Sequence, residues 1–164
     1  MTRQDDRASK GWDGHTPERK HPAHGVLILR DQPTIVFLTV CTQSRKPWLA
    51  SPGVHALLYE VWREANAWAV GRYVIMPDHI HLFASPDQLE ILLDNWVRYW
   101  KSQFTQRHGR PEHRWQSGHW DTRMRTRESY ESKWEYVKEN PVRHKLVASA
   151  EDWPYQGEIW KLAW

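Results

Sequence analysis

Cysteine is almost missing from this chain: one residue, Cys41, in 164. A single thiol closes no internal disulfide and builds no cysteine-based zinc site. Long hydrophobic runs are missing too; no stretch approaches the roughly 18 apolar residues that span a membrane, and mean hydropathy is −0.82. Residues 1–10 are polar and charged with no apolar stretch behind them, so the middle region of a secretory signal is lacking. These absences exclude a disulfide scaffold and a transmembrane protein and argue against export. With one cysteine and no signal-like run the chain reads as cytoplasmic, and at about 150 residues per domain its length predicts one domain with tails.

What is abundant is tryptophan, with 12 residues, and histidine, with 10. The net charge of +3 is small, but it is unevenly spread. Residues 51–95 hold two Lys or Arg against six Asp or Glu, and residues 96–126 hold seven against two. That basic segment also carries Trp96, Tyr99, Trp100, Phe104, Trp115 and Trp120. Cations interleaved with flat rings suit a single-stranded nucleic acid; an amphipathic element with core aromatics and a solvated basic face explains the same composition.

Along the chain, residues 1–24 read as a flexible tail without apolar periodicity. An apolar run at 26–29 follows, and then TIVFLTVCT at 34–42, β-branched and aromatic, predicts a central strand. Ser51 before Pro52 is a helix start, and apolar residues at helical spacing carry the predicted helix to about Gly71. Residues 72–76 and 79–84 predict two extended segments joined at Pro77 and Asp78. A second helix is predicted over 87–106, with Arg98, Lys101 and Arg107 off its apolar stripe. A strand is predicted over 115–125, with His119, Asp121, Arg123 and Arg125 on one face. A third helix is predicted over 127–139, stopped by Pro141, with Tyr130, Trp134 and Val137 as its buried edge. The order predicts an α+β fold, a ferredoxin-like antiparallel sheet with helices packed on one face. Residues 25–148 form the predicted domain, and the Trp-rich tail at 149–164 is expected to pack on it.

Strand alternation sends His79 and His81 to one face and Ile80 to the other. Two adjacent imidazoles are half a metal site, although an isolated H-x-H also arises as ordinary structure. On the third helix Tyr136 points away from the buried stripe, with Asn140 one turn on. A phenol with reference pKa near 10 needs a nearby cation or base to act as a nucleophile at neutral pH. The combination of two histidines, a tyrosine and a carboxamide fits phosphoryl transfer; a half-buried phenol and an Asn helix cap are the plainer alternative. Tyr130 is a rival nucleophile, but it lies on the buried stripe.

Four strings occur in order: MPDHIHLF at 76–83, WQSGHWDTRMR at 115–125, YVKENPVRHKLV at 136–147 and DWPY at 152–155. With them the chain resembles the REP-associated tyrosine transposases, of the HUH single-tyrosine transposase superfamily. The resemblance implies a bacterial, cytoplasmic protein, nucleoid-associated when acting, that binds single-stranded DNA with a palindromic hairpin. It implies Tyr136 as nucleophile, forming a 5′-phosphotyrosine, and His79, His81 and Asn140 as ligands of Mg2+ or Mn2+. The expected function is a metal-dependent endonuclease and strand transferase acting as a monomer, although dimers occur in the wider superfamily. Arg98, Lys101, His119, Asp121, Arg123 and Arg125 are the candidate DNA contacts. The chain departs from the family pattern at Lys145, where relatives often carry glycine. A catalytically silent DNA- or RNA-binding module and a small zinc hydrolase are the competing readings.

Overall fold

A computed structural model describes residues 34–164; the expected tail at 1–24 and the apolar run at 26–29 lie outside the described residues. Among the described residues five strands and four α-helices follow one another as β1 (Ile35–Cys41), α1 (Pro52–Glu64), β2 (Trp68–Ile75), β3 (His79–Pro86), α2 (Leu93–His108), β4 (Trp120–Met124), α3 (Arg127–Lys138), α4 (Asn140–Arg143) and β5 (Gln156–Glu158). The strand order is β4-β1-β3-β2-β5 and every pairing is antiparallel. The first four strands with α1 and α2 make the expected ferredoxin-like arrangement.

Register decides which side chain meets which face. Thr39 lies opposite His81, Cys41 opposite His79 and Phe37 opposite Phe83, while Leu38 pairs with Leu82 and Val40 with Ile80. Leu38, Val40, Ile80 and Leu82 join α1 and α2 in the main core, which holds the fully buried rings of Trp62, Trp68, Trp96, Trp100 and Phe104. Fully burying one such ring stabilises the fold by about 2–3 kcal/mol. On the opposite face Ile35 and Phe83 pack with Tyr130, and Val74 and Met76 with Val137 and Trp153. So α1 and α2 share one face as expected, and α3 lies across the other.

The helix starts follow ordinary capping chemistry. Ser51 accepts from the Val54 amide, with proline in the first turn of α1. Thr126 and Ser129 exchange side-chain and backbone bonds at the start of α3. Four boundaries differ from expectation. The first helix stops at Glu64, and Trp68 opens β2, because its indole donates to Ile91 O at 2.9 Å in the core. The second helix starts at Leu93, leaving Leu89 and Leu92 exposed. β4 starts at Trp120, with Trp115 contributing only a bridge to Thr42. Pro141 opens the short α4 instead of ending the helical segment.

Two features hold α3 on the sheet. A one-residue bulge between Val70 and Tyr73 interrupts the β2–β3 pairing. Arg72, within it, donates to Glu131 of α3 at 2.9 Å, approaches Glu158 of β5 at 3.6 Å and lies over the rings of Tyr130 and Trp134. The chain after α4 packs back on the same face: Trp153 donates its indole N–H to Ile75 O, and β5 extends the sheet beside β2.

Candidate active site

His79 and His81 stand side by side on β3, with their Nε2 atoms 3.1 Å apart. Each is anchored through its other nitrogen. His79 Nδ1 lies 2.7 Å from Asp78 Oδ1, and His81 Nδ1 lies 2.9 Å from Thr39 Oγ1. A carboxylate only accepts, so His79 carries its proton on Nδ1 and turns an Nε2 lone pair toward His81. Two lone pairs at that separation repel, so a proton or a cation has to lie between them. A pair of ligands at right angles on bonds of about 2.1 Å would be about 3.0 Å apart, so the two imidazoles fit adjacent positions of a divalent metal shell. The carboxylate behind one ring and the hydroxyl behind the other are the supports that ligating histidines use. Among the described residues no group of three or more His, Cys, Asp or Glu side chains is placed to hold a metal; further ligands have to come from a carboxamide, water or substrate oxygens.

Charge around the pair is positive. Burial pulls His81 down to about 3, and His79, Lys133, Arg45 and Arg143 push the same way. Burial lowers His79 as well, against the pull of Asp78. Burial alone would raise the Asp78 carboxyl, but its bonds to His79 and Arg45 outweigh that and hold it below the usual range. The rings therefore stay neutral at pH 7, the state that can bind a metal. Arg45 comes from the turn Gln43–Arg45, where Ser44 and Arg45 both have a φ of 55°. Two successive left-handed non-glycine residues cost on the order of 1–3 kcal/mol each.

The third helix delivers the expected tyrosine. Tyr130 and Val137 are buried, while Tyr136 is 62% exposed. The Arg143 guanidinium lies 3.9 Å from the centre of the Tyr136 ring and donates to the Tyr136 carbonyl and, at 2.7 Å, to Asn140 Oδ1. Asn140 is buried, and Arg143 links its Oδ1 to the Tyr136 ring. His144, just after α4, is 6.4 Å from His79 between ring centres, which brings the α4 end to the imidazole pair. Sequence reasoning missed Thr39, Arg45, Asp78, Lys133 and Arg143. The quoted strings contained Asp78 and Arg143 but carried no signal of their roles.

The comparisons with known proteins agree with one another. No family model matches the chain. It is 28% identical over 127 residues to the REP-associated tyrosine transposase of Escherichia coli K12, covering 73% of each chain. It is 33% identical over 97 residues to a Haemophilus influenzae protein named for the same family, covering 49% of this chain and 53% of that one. A solved REP-associated tyrosine transposase bound to a REP hairpin superposes with a TM-score of 0.66 at 23% identity, over 80% of this chain and 82% of the other. The chain is similar to the REP-associated tyrosine transposases. That structural match supports the α+β fold and its antiparallel sheet.

The candidate DNA contacts Lys101, His119, Asp121 and Arg123 do not gather at the imidazole pair. Asp121 lies opposite Leu38 and Arg123 opposite Val36, so both belong to the α1–α2 side of the sheet, at the β4 edge. His119 is buried, with Nε2 3.3 Å from Asp94 and 3.5 Å from Asp121. Lys101 is a correction. It is 8% exposed, and its ammonium donates to Gln116 O at 3.0 Å and Gly118 O at 2.6 Å, so it ties the loop before β4 to α2 and presents no free charge. Its long stem let it sit among apolar residues without breaking the helical pattern. Arg98 and Arg125 are exposed.

Proposed function

We propose that the protein is a metal-dependent single-stranded DNA endonuclease and strand transferase, transposase-like, acting on hairpin-containing repeat DNA. The reading is carried by one observation: two neutral, convergent imidazoles sit among Arg45, Lys133 and Arg143, beside the helix that bears the exposed Tyr136. Tyr136 Oη attacks the scissile phosphorus while the bond to the 3′ oxygen breaks. The phenolic proton passes to water and the departing oxygen takes one up, leaving a 5′-phosphotyrosine and a 3′-hydroxyl. Attack of another 3′-hydroxyl on that linkage reverses the step and joins strands. His79 and His81 would hold Mg2+ or Mn2+, which when bound draws charge from a non-bridging phosphate oxygen. Asn140 would be the third ligand, since its Oδ1 accepts one bond from Arg143 and keeps a second lone pair. Arg143, stacked on the Tyr136 ring, restricts the directions the phenol can take.

Arg98 and Arg125 are the proposed phosphate contacts for the hairpin, with Arg123 and Asp121 at the β4 edge. It would act as a monomer, with a dimer as the alternative. The test is a pool of labelled single-stranded hairpin oligonucleotides incubated with the protein and Mn2+ or Mg2+. Wild type forms a covalent adduct, and chelation or Tyr136→Phe removes it. Hairpin binding with no adduct in the wild type would instead identify a silent binding module.

A further inference from the structure

We propose that Arg45 is the residue that grips the phosphate undergoing attack, a role resting on the function just proposed. Among the described residues one of its contacts is a strong one: Nε donates to Asp78 Oδ2 at 2.8 Å. Its outer edge is poorly used. Nη1 points at the Cys41 sulphur at 2.9 Å, and thiol sulphur is a weak acceptor. Nη2 lies 3.3 Å from His79 Nδ1, but that nitrogen must carry a proton to serve Asp78, so it offers Arg45 no lone pair. Two parallel N–H groups without good acceptors are the fork that takes two oxygens of one phosphate.

The fork is also aimed and accessible. Asp78 uses one oxygen to orient the His79 ring and the other to fix Arg45, so a single carboxylate sets the guanidinium against the imidazole pair. The Arg45 side chain is 52% exposed, so a strand lying over His79 and His81 can reach the fork by displacing its contacts to Cys41 and His79. The left-handed backbone at Ser44 and Arg45 turns that side chain back toward β3. A phosphate arriving there exchanges the sulphur and ring contacts for two charged hydrogen bonds and leaves the Asp78 bond intact.

The test compares wild type, Arg45→Lys and Arg45→Gln on a hairpin oligonucleotide that the wild type converts to adduct, made with an ordinary phosphate or a neutral methylphosphonate at the cleaved position. Arg45→Gln is expected to slow adduct formation about 100-fold on the phosphate and less than threefold on the methylphosphonate, with Arg45→Lys in between. In the Tyr136→Phe background, Arg45→Gln is expected to weaken hairpin binding on the phosphate and leave methylphosphonate binding unchanged. Equal slowing on both substrates would mean that Arg45 acts only through Asp78 and His79, and would overturn the proposal. An unchanged rate would overturn it as well. Absence of adduct from the wild type on every hairpin would overturn the proposed function first.

Discussion

The two faces of one sheet are built from the same strands and do different work. Toward α1 and α2 the strands send Leu38, Val40, Ile80 and Leu82 into a core filled by tryptophans. Toward α3 the alternate residues of the same strands present Thr39, His79 and His81, ringed by Arg45, Lys133 and Arg143. The first face carries stability and the second carries the polar groups that stability tolerates. Neighbouring residues of β3 serve opposite ends, so substitutions one position apart should separate folding from chemistry.

The sharpest way to break the comparison is at the imidazole pair. His79→Ala or His81→Ala is expected to cut adduct formation by about 1,000-fold or more, because half of the proposed metal site goes. Urea midpoints should move far less than for a core residue. Trp100→Ala on the other face should do the reverse, costing about 3–5 kcal/mol in urea unfolding. The protein that stays folded should still form adduct at close to the wild-type rate. Lys101→Met should cost about 1–3 kcal/mol, by leaving two carbonyls without their donor, with hairpin affinity nearly unchanged. Arg98→Gln should instead weaken hairpin binding and flatten its salt dependence with little effect on stability.

Acid sharpens the contrast further. Burial, with the cations around it, holds His81 at about 3, below its unfolded value. Between pH 6.5 and about 3 the unfolded chain therefore binds the extra proton, so stability falls as pH falls through that window. Urea midpoints measured from pH 7 to 4 should drop less steeply in His81→Gln than in wild type. The smallest effect is expected at Lys145, whose φ of 58° is left-handed. Lys145→Gly should stabilise by about 0.5–1 kcal/mol, since glycine takes that conformation without a Cβ clash.

Alternation and caps were readable from the chain alone. Ile80 between two histidines, Ser51 before Pro52, and the stripe of Tyr130, Trp134 and Val137 each state their own placement. Other features were not, for identifiable reasons. Apolar residues continue at helical spacing past Glu64, and only tertiary contact made Trp68 a strand residue. Ser85 and Pro86 imitate the start of α1, yet α2 begins later, behind Leu92 without a side-chain cap. β5 is three residues long with no β-branched member. Arg45 reaches the site through a backbone conformation that no residue type in Gln43–Arg45 announces, and Arg143 meets Tyr136 because the helical path runs on through Glu139 and Pro141.

The central claim is that Tyr136 becomes covalently joined to a DNA 5′ phosphate beside His79 and His81. Mass spectrometry of peptides from protein incubated with hairpin DNA and Mn2+ tests it most directly. The account predicts a nucleotide mass on the peptide containing Tyr136, lost in His79→Ala and in Tyr136→Phe. A mass on Tyr130, or strand cleavage that survives Tyr136→Phe, would contradict it.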